Sequence, residues 1–497
     1  MRKIFLTIAT ASMLFVSCSK EFDNVEQTSR LSGSQASELV EEDPEFLSSY
    51  VSGLASWLVQ FNMVGNGGHD DFGLKSIDYV TDVMGMDIVL GAQHWGVYDY
   101  LHDYWLENYA RPRQIWTCFY TLINNSNEII DFFGEEDPTD ATLRGYLGQA
   151  YALRAFGYMN LILYFQDICT TSGSFNSSAA AVPIIYATRD GKTSEEVNQA
   201  QSRNTIADVC TEIERNLDYA LNLLDGYTRG SKNEVDLSVA QGFAARYYLM
   251  SQQWEKAQKY ANAAKTGYSL MDKARLLAGF MDVTDAEVMW GFAHNSETQT
   301  TYASFFSQMS NDSPGYAGLN YCCKMIDVSL YNQIPATDFR KSLFNGPDGD
   351  ESAAYSGAQQ PYAARKFGYK SDWTQNYLYM RAAEMYLIEA EAALRAGNSS
   401  VATSVMKEFL AKRDPSNSAS SFSVDDILLQ RRIELWGDGL TYYDIRRNGL
   451  GVDRTYEGTN HKVWGQNVYE AHTGKWIFQI PLSEIQNNSM ISEDDQN

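Results

Sequence analysis

Residues 237–266 read LSVAQGFAARYYLMSQQWEKAQKYANAAKT. Apolar residues recur there every three to four positions on both sides of Gln252-Gln253. That period predicts two helices, Leu237–Ser251 and Trp254–Thr266, joined by a tight turn. Ala245, Ala257 and Ala264 are spaced by 12 and then 7. Small residues at such intervals let two antiparallel helices approach closely, the spacing of a tetratricopeptide unit of about 34 residues.

The same reading extends in both directions. Trp116, Phe119, Tyr120, Ile123 and Ile130 mark one face of a helix over Pro112–Phe133. Leu143, Leu147, Ala150, Leu153, Phe156 and Leu161 mark another over Thr139–Phe165, and Ile213, Leu217, Ala220 and Leu224 a third over Ile206–Leu224. Near the C-terminus, Tyr377–Ala396 and Ser400–Lys412 predict a further pair turned at Gly397-Asn398, with Ala390 and Ala402 again 12 apart. No fixed period tiles the chain, so the expectation is scattered helix pairs rather than a continuous solenoid. The fold class is mainly α: pairs at about 112–165, 206–266 and 377–412 within one domain over 41–497. They pack against an irregular half built from the loop-rich segments of about 65–105 and 276–372.

Composition bounds the partners. The 497-residue chain is 44% hydrophobic and carries a net charge of −24, enough apolar residue for a large core. The acidic balance speaks against nucleic acid as a partner, since phosphate binding needs clustered Lys and Arg. It speaks equally against a helix drawn to anionic lipid. Aromatics make up 13%, with 32 Tyr, a residue that suits half-wet binding faces as well as cores.

The N-terminus reads as a secretory signal over residues 1–17: Arg2 and Lys3, then the uncharged run Ile4–Val16, too short for a bilayer. It ends at Phe15-Val16-Ser17-Cys18, similar to a bacterial lipobox with Phe15 where Leu is usual. Cys18 is then the lipidation site and residues 18–40 a tether, so the chain is anchored to a membrane rather than embedded in one. The other reading is an ordinary signal peptide with an unrelated Cys. Five further cysteines, Cys118, Cys169, Cys210, Cys322 and Cys323, show no zinc spacing, and no metal or other cofactor is expected. Cys118 reads as a core residue, and the vicinal Cys322-Cys323 pair as two thiols or a strained disulfide. Asp348 and Asp350 read as a hydrated turn, with a calcium loop as the alternative. Gly65–Gly68 lacks the third glycine of a dinucleotide loop.

Four motifs together resemble the SusD/RagB family of outer-membrane nutrient-binding lipoproteins. They are Leu153-Arg154-Ala155-Phe156-Gly157-Tyr158; Arg381-Ala382-Ala383-Glu384-Met385-Tyr386-Leu387-Ile388-Glu389-Ala390-Glu391-Ala392; Arg431 to Gly439 with Tyr443-Asp444-Ile445-Arg446-Arg447, where Asp438 replaces the commoner Glu; and Phe478 to Asn488 with Asp495-Gln496-Asn497. The motif residues read as fold-holding ion pairs, with Arg381/Glu384 and Glu391/Arg395 along one helix and Arg432/Glu434 tied to Asp444/Arg446. The resemblance implies a cell-surface lipoprotein, anchored in the outer membrane, that binds oligosaccharide. It implies delivery of the sugar to a SusC-like TonB-dependent porter.

Sugar binding needs aromatic faces for the C–H surface of the ring and carboxylates or amides for its hydroxyls. Trp95 and Tyr98, in a glycine-broken aromatic stretch, are the first candidates, with Trp105 and Tyr109 read as a packed helix face. Trp290 and Tyr302 come second, although Trp290 between Val288 and Phe292 also fits a buried strand. Tyr316 lies in a Pro/Gly turn. Asp71 is a candidate hydroxyl ligand, with helix capping the alternative. A helical glycoside hydrolase is the rival function. It would draw two carboxylates from Asp70, Asp71, Asp99 and Asp103, but no catalytic motif supports it, and no catalytic residue is assigned. A peptide-binding repeat scaffold fits the broken repeat poorly.

Overall fold

The structure, a computed structural model, describes residues 46–497. The expected signal peptide, Cys18 and the tether lie outside the described residues. The main helices are α1 (Phe46–Trp57), α2 (Leu74–Asp82), α3 (Ala110–Asp131), α4 (Ala141–Phe165), α5 (Ile206–Leu223), α6 (Leu237–Met250), α7 (Trp254–Ala264), α8 (Ala382–Arg395), α9 (Ser399–Leu410) and α10 (Val424–Glu434). No helix among the described residues is long and apolar enough to cross a membrane.

The helices pack neighbour on neighbour, α3 on α4, α4 on α5, α5 on α6, and so on to α9. The pairs scattered in sequence therefore form one continuous stack in space. The step from α7 to α8 crosses the whole loop-rich insertion, which is why no fixed period shows in the chain. Close approach rests on small residues: Ala245, Ala257, Ala261, Ala264, Ala390 and Ala402 are all buried. The turns fall at Gln252 (φ 60°) and Gly397 (φ 86°), the latter in the left-handed region where glycine ends a helix without strain. Thr205 with Asp208 and Ser423 with Asp426 form reciprocal caps that start α5 and α10.

Three two-stranded antiparallel ribbons interrupt the helices. β1 (Ile88–Leu90) pairs with β3 (Lys324–Ile326), Ile88 opposite Ile326 and Leu90 opposite Lys324. β2 (Val288–Phe292) pairs with β4 (Tyr377–Arg381). The expected helix from Tyr377 is thus corrected: residues 377–381 are strand and the helix begins at Ala382. The apolar run there carries both periods, and pairing with β2 settles its first turn as extended.

That correction changes the ion pairs. Arg381 ends a strand, so it does not share a helix face with Glu384. Arg381 binds Glu287 (2.5 Å), Glu434 (2.9 Å) and Asp438 (2.5 Å), while Glu384 binds Arg246 on α6 (2.7 Å). Arg413 joins Glu287 (2.8 Å) and Glu434 (2.9 Å). Burial pushes the Glu434 carboxyl up, but Arg413, Arg381 and Arg340 outweigh it and hold the group well below its ordinary range. Arg432 pairs with Asp87 (2.5 Å) and Arg446 with Asp167 (3.0 Å). Asp444 is shared by Arg431 and Arg447, each at 2.8 Å. Glu391–Arg395 is the expected pair that forms within one helix (2.9 Å). The closing Gln496-Asn497 is also structural: Gln496 Nε2 donates to Glu107 (2.8 Å), and Asn497 Nδ2 to the Phe165 carbonyl at the end of α4 (2.8 Å).

Candidate functional site

Tyr79 on α2 sets the position of Trp95. Its hydroxyl donates to the Trp95 carbonyl at 2.7 Å. The next residue, Gly96, has φ 81°, and a Cβ there would stand 2.5 Å from the Tyr79 hydroxyl, so glycine alone fits this corner. The β1/β3 ribbon brings the second loop alongside: Gly91 N–H donates to the Cys323 carbonyl (2.9 Å), extending the ladder by one step. Residues 91–98 and 315–323 leave the same end of that ribbon. A third loop arrives through His69, whose carbonyl accepts from Gln308 Nε2 (2.9 Å).

The result is an aromatic cluster. Trp95 lies near-parallel to His69 (centroids 5.7 Å, 25°) and edge-on to Tyr316 (6.3 Å, 62°). Tyr302 stands 5.4 Å from Tyr316, and His94 lies 4.8 Å from Tyr316 and 5.8 Å from Tyr321. His69 Nδ1 and the Tyr316 hydroxyl are 2.8 Å apart. Tyr302 and Tyr321 are 44% and 56% exposed, whereas Trp95 and Tyr316 are half-buried. Burial, with Lys324 nearby, pushes the His94 pKa below its ordinary value, so its ring is neutral at neutral pH. His94 Nδ1 and Trp95 Nε1 are buried with no partner among the described residues, whereas most buried polar atoms in folded proteins are hydrogen-bonded.

The structure thus joins Trp95, Tyr302 and Tyr316 in one place and separates the remaining candidates from it. Trp290 is 1% exposed in β2, against Phe243 (5.2 Å) and Tyr379 (4.8 Å). It is a core residue with no face for a ligand. Asp71 is 1% exposed. Its carboxylate accepts from Val64 N–H (3.2 Å) and Gln114 Nε2 (3.0 Å), folding the 62–71 loop from beneath. Burial raises its pKa. Asp71 does not cap α2 either, whose N-terminus is Gly73 without a side-chain cap. Tyr98 is 62% exposed but packs on Tyr104 (5.8 Å), which contacts Tyr109 (4.9 Å), a second patch that does not include Trp95. Trp105 and Tyr109 precede α3 rather than lying along a helix.

Asp70 and Asp99 both face Arg111, at 2.6 and 2.8 Å. Burial still pushes Asp99 up to about 6 against the pull of Arg111. Cys322 and Cys323 are buried free thiols beneath the 91–92 loop. Asp350 is taken up by Ser352 (2.5 Å) and Arg365 (3.0 Å). Among the described residues no group of three His, Cys, Asp or Glu is arranged to hold a metal. His69 and Tyr321 were not singled out from sequence. Each sits beside a better-marked neighbour, Asp70 or Cys322, and nothing local says that its loop converges on Trp95.

The chain resembles known proteins along most of its length. The SusD family profile matches residues 362–497, and a second profile, described as starch-binding associating with outer membrane, matches residues 71–249. A SusD-like protein of Formosa agariphila is 24% identical over 422 residues, covering 75% of this chain and 78% of that one. A crystal structure of a SusD-like carbohydrate-binding protein from Bacteroides vulgatus superposes with a TM-score of 0.76 at 23% identity, covering 90% of this chain and 97% of the other. Surface glycan-binding protein A from Bacteroides thetaiotaomicron gives 0.67 at 15% identity, covering 90% and 97%. At these identities the structural likeness establishes the fold.

Proposed function

The chain belongs to the SusD family, and from that premise we propose that it captures oligosaccharide at the outer membrane without cleaving it. The observation that carries this reading is the cluster of Trp95, Tyr302 and Tyr316 with His69, His94 and Tyr321, supplied by separate loops at one end of the β1/β3 ribbon. Rings with two rotatable bonds give area to a sugar at low entropic cost. Gln93 and Asn320, exposed on the same loops, offer amides for hydroxyls. A hydrolytic reading is less well supported, because Asp70 and Asp99 are held by Arg111 and Asp71 is sealed under its loop.

The finer proposal follows from the same family: Cys18 carries the lipid anchor, the protein faces the exterior, and it passes sugar to a SusC-like TonB-dependent porter. Titration calorimetry against a polysaccharide panel, paired with a reducing-end assay on the same mixtures, tests the binding function. Heat of binding without new reducing ends is the expected result. New reducing ends that scale with protein concentration would establish a hydrolase instead.

A further inference from the structure

A groove of about 420 Å³ runs along the middle of α3, closed on its far side by the 198–201 loop and the short helix Leu482–Asn487. It shares no residue with the Trp95 cluster. Trp116, Tyr120 and Asn124 lie one turn apart on α3 and face it. The Trp116 and Tyr120 rings are 4.6 Å apart at 40°. The Tyr120 hydroxyl donates to the Pro183 carbonyl at 2.7 Å, which fixes that ring in place. Opposite them the lining is amide, Gln199, Asn487 and Asn488, with Glu484 as the one charged group. Asn488 Nδ2 is taken by the Gln201 carbonyl (3.0 Å) and Glu484 (2.8 Å) and Asn487 Nδ2 by the Ser483 carbonyl (2.7 Å), which leaves Gln199 and Asn124 as the amides free both to donate and to accept.

The chemistry excludes several classes of ligand. No Lys or Arg lines the groove and Glu484 does, so an anion has nothing to pair with. The unpartnered amides of Gln199 and Asn124 make a lipid chain costly, because each would lose its water without a partner. An added peptide strand would need free backbone groups on an exposed edge. The two residues of the extended segment that line the groove have spent them: the Pro183 carbonyl accepts from Tyr120, Ile185 N–H donates to the Tyr158 hydroxyl (2.9 Å), and the Ile185 carbonyl accepts from that same hydroxyl (2.8 Å). What remains matches an uncharged polyol. The free Gln199 and Asn124 amides both donate and accept, as hydroxyls do. The Trp116 indole N–H has no acceptor among the described residues, and the half-buried Tyr120 ring, beside the largely covered Trp116, can take a C–H face.

We propose that this groove is a second, independent site for a neutral sugar. Binding at two sites would let one chain hold two segments of a long glycan, raising its hold beyond either site alone.

Calorimetric titrations with neutral hexasaccharides of glucose, mannose and galactose test it on four forms of the folded protein: wild type, Trp95→Ala, Asn124→Arg and the double variant. Asn124 is exposed and makes no hydrogen bond within the described chain, so Asn124→Arg should fill the groove and spare the fold. Melting curves on the same samples check that. The expected result is residual binding in Trp95→Ala that Asn124→Arg weakens by about tenfold or more, with the Trp95-dependent binding unchanged in Asn124→Arg alone. Binding removed completely by Trp95→Ala, residual binding indifferent to Asn124→Arg, or no hexasaccharide bound in the groove would each overturn the proposal. Binding that Trp95→Ala leaves at the wild-type level and Asn124→Arg alone abolishes would overturn the first reading and leave this one standing.

Discussion

Trp95 presents its ring because its backbone is held from behind. The Tyr79 hydroxyl fixes the Trp95 carbonyl, and Gly96 makes the sharp left-handed step that follows. Trp95→Ala should weaken sugar binding by about tenfold with little change in melting temperature, since a half-buried loop ring adds about 1 kcal/mol of stacking beyond its area. Tyr316→Ala should act in the same direction, and the two should be non-additive because their rings touch. Calorimetry on each variant and on the pair checks this. Tyr98→Ala, in the separate Tyr104 patch, should change affinity far less. Trp290→Ala should do the reverse of Trp95→Ala: a loss of about 3–5 kcal/mol in unfolding free energy, measured by denaturant titration.

At the scale of elements, a buried ionic layer locks β4 and α10 to the segments that carry Glu287, Arg340 and Arg413. Glu287 and Glu434 are shared among Arg381, Arg413 and Arg340, with side chains almost fully buried. Removing one partner strands an uncompensated charge, so Arg413→Ala should cost about 3–5 kcal/mol. Arg432, partly exposed beside Asp87, should cost about 1 kcal/mol when cut to Ala. Neither change should alter sugar affinity of the folded fraction. Glu391 carries a pH signature. Burial pushes it up, but Arg447, Arg431 and Arg395 overcome that and hold it at about 2, below its ordinary 4.5. A depressed acid stabilises the fold fully above the unfolded value and stops doing so as pH falls through the folded one. The stability gap between wild type and Glu391→Gln should therefore be about 3 kcal/mol at neutral pH and shrink as pH drops from 4.5 towards 2. Urea titrations across that range check the slope, and a gap that widened on acidification would contradict it.

On the scale of the whole molecule, the helical stack supplies the frame, and loops from both the 65–98 region and the insertion between α7 and α8 carry the candidate sugar site. A cap seated lastingly on a barrel should bury more than about 2,000 Å², an area a stack of this length can provide on one side. Extraction of native membranes in mild detergent should co-purify a much larger outer-membrane barrel with this chain. Recovery of the chain alone, where the barrel is shown to be expressed, would count against the porter proposal. Cys18→Ala should leave a folded protein that no longer sediments with membranes. An acyl chain adds about 0.8 kcal/mol per buried methylene, and nothing in an acidic chain replaces it.

The helices were readable from the sequence because their information is local. Alanine and apolar positions at three-four and seven-twelve spacing mark α3 to α9 whatever surrounds them, and the boundaries fall within two residues for all but α8. Arg381, Glu391, Arg431 and the closing Gln-Asn were recognisable as family residues for the same reason: their order along the chain is itself the signal. Their partners were not recognisable. Which carboxylate an arginine meets depends on elements far away in sequence, as Arg413 meeting Glu287 shows. The site divides in the same way. An aromatic residue is chemically suited to sugar or to core, and local sequence only ranks Trp95, in its glycine-broken stretch, ahead of Trp290, whose apolar neighbours also fit a buried strand. Only packing separates them, because β4 covers Trp290 on one side while the β1/β3 ribbon carries Trp95 out beside Tyr316. Composition and periodicity determined the helical frame; tertiary contact between distant loops decided which rings are left facing water.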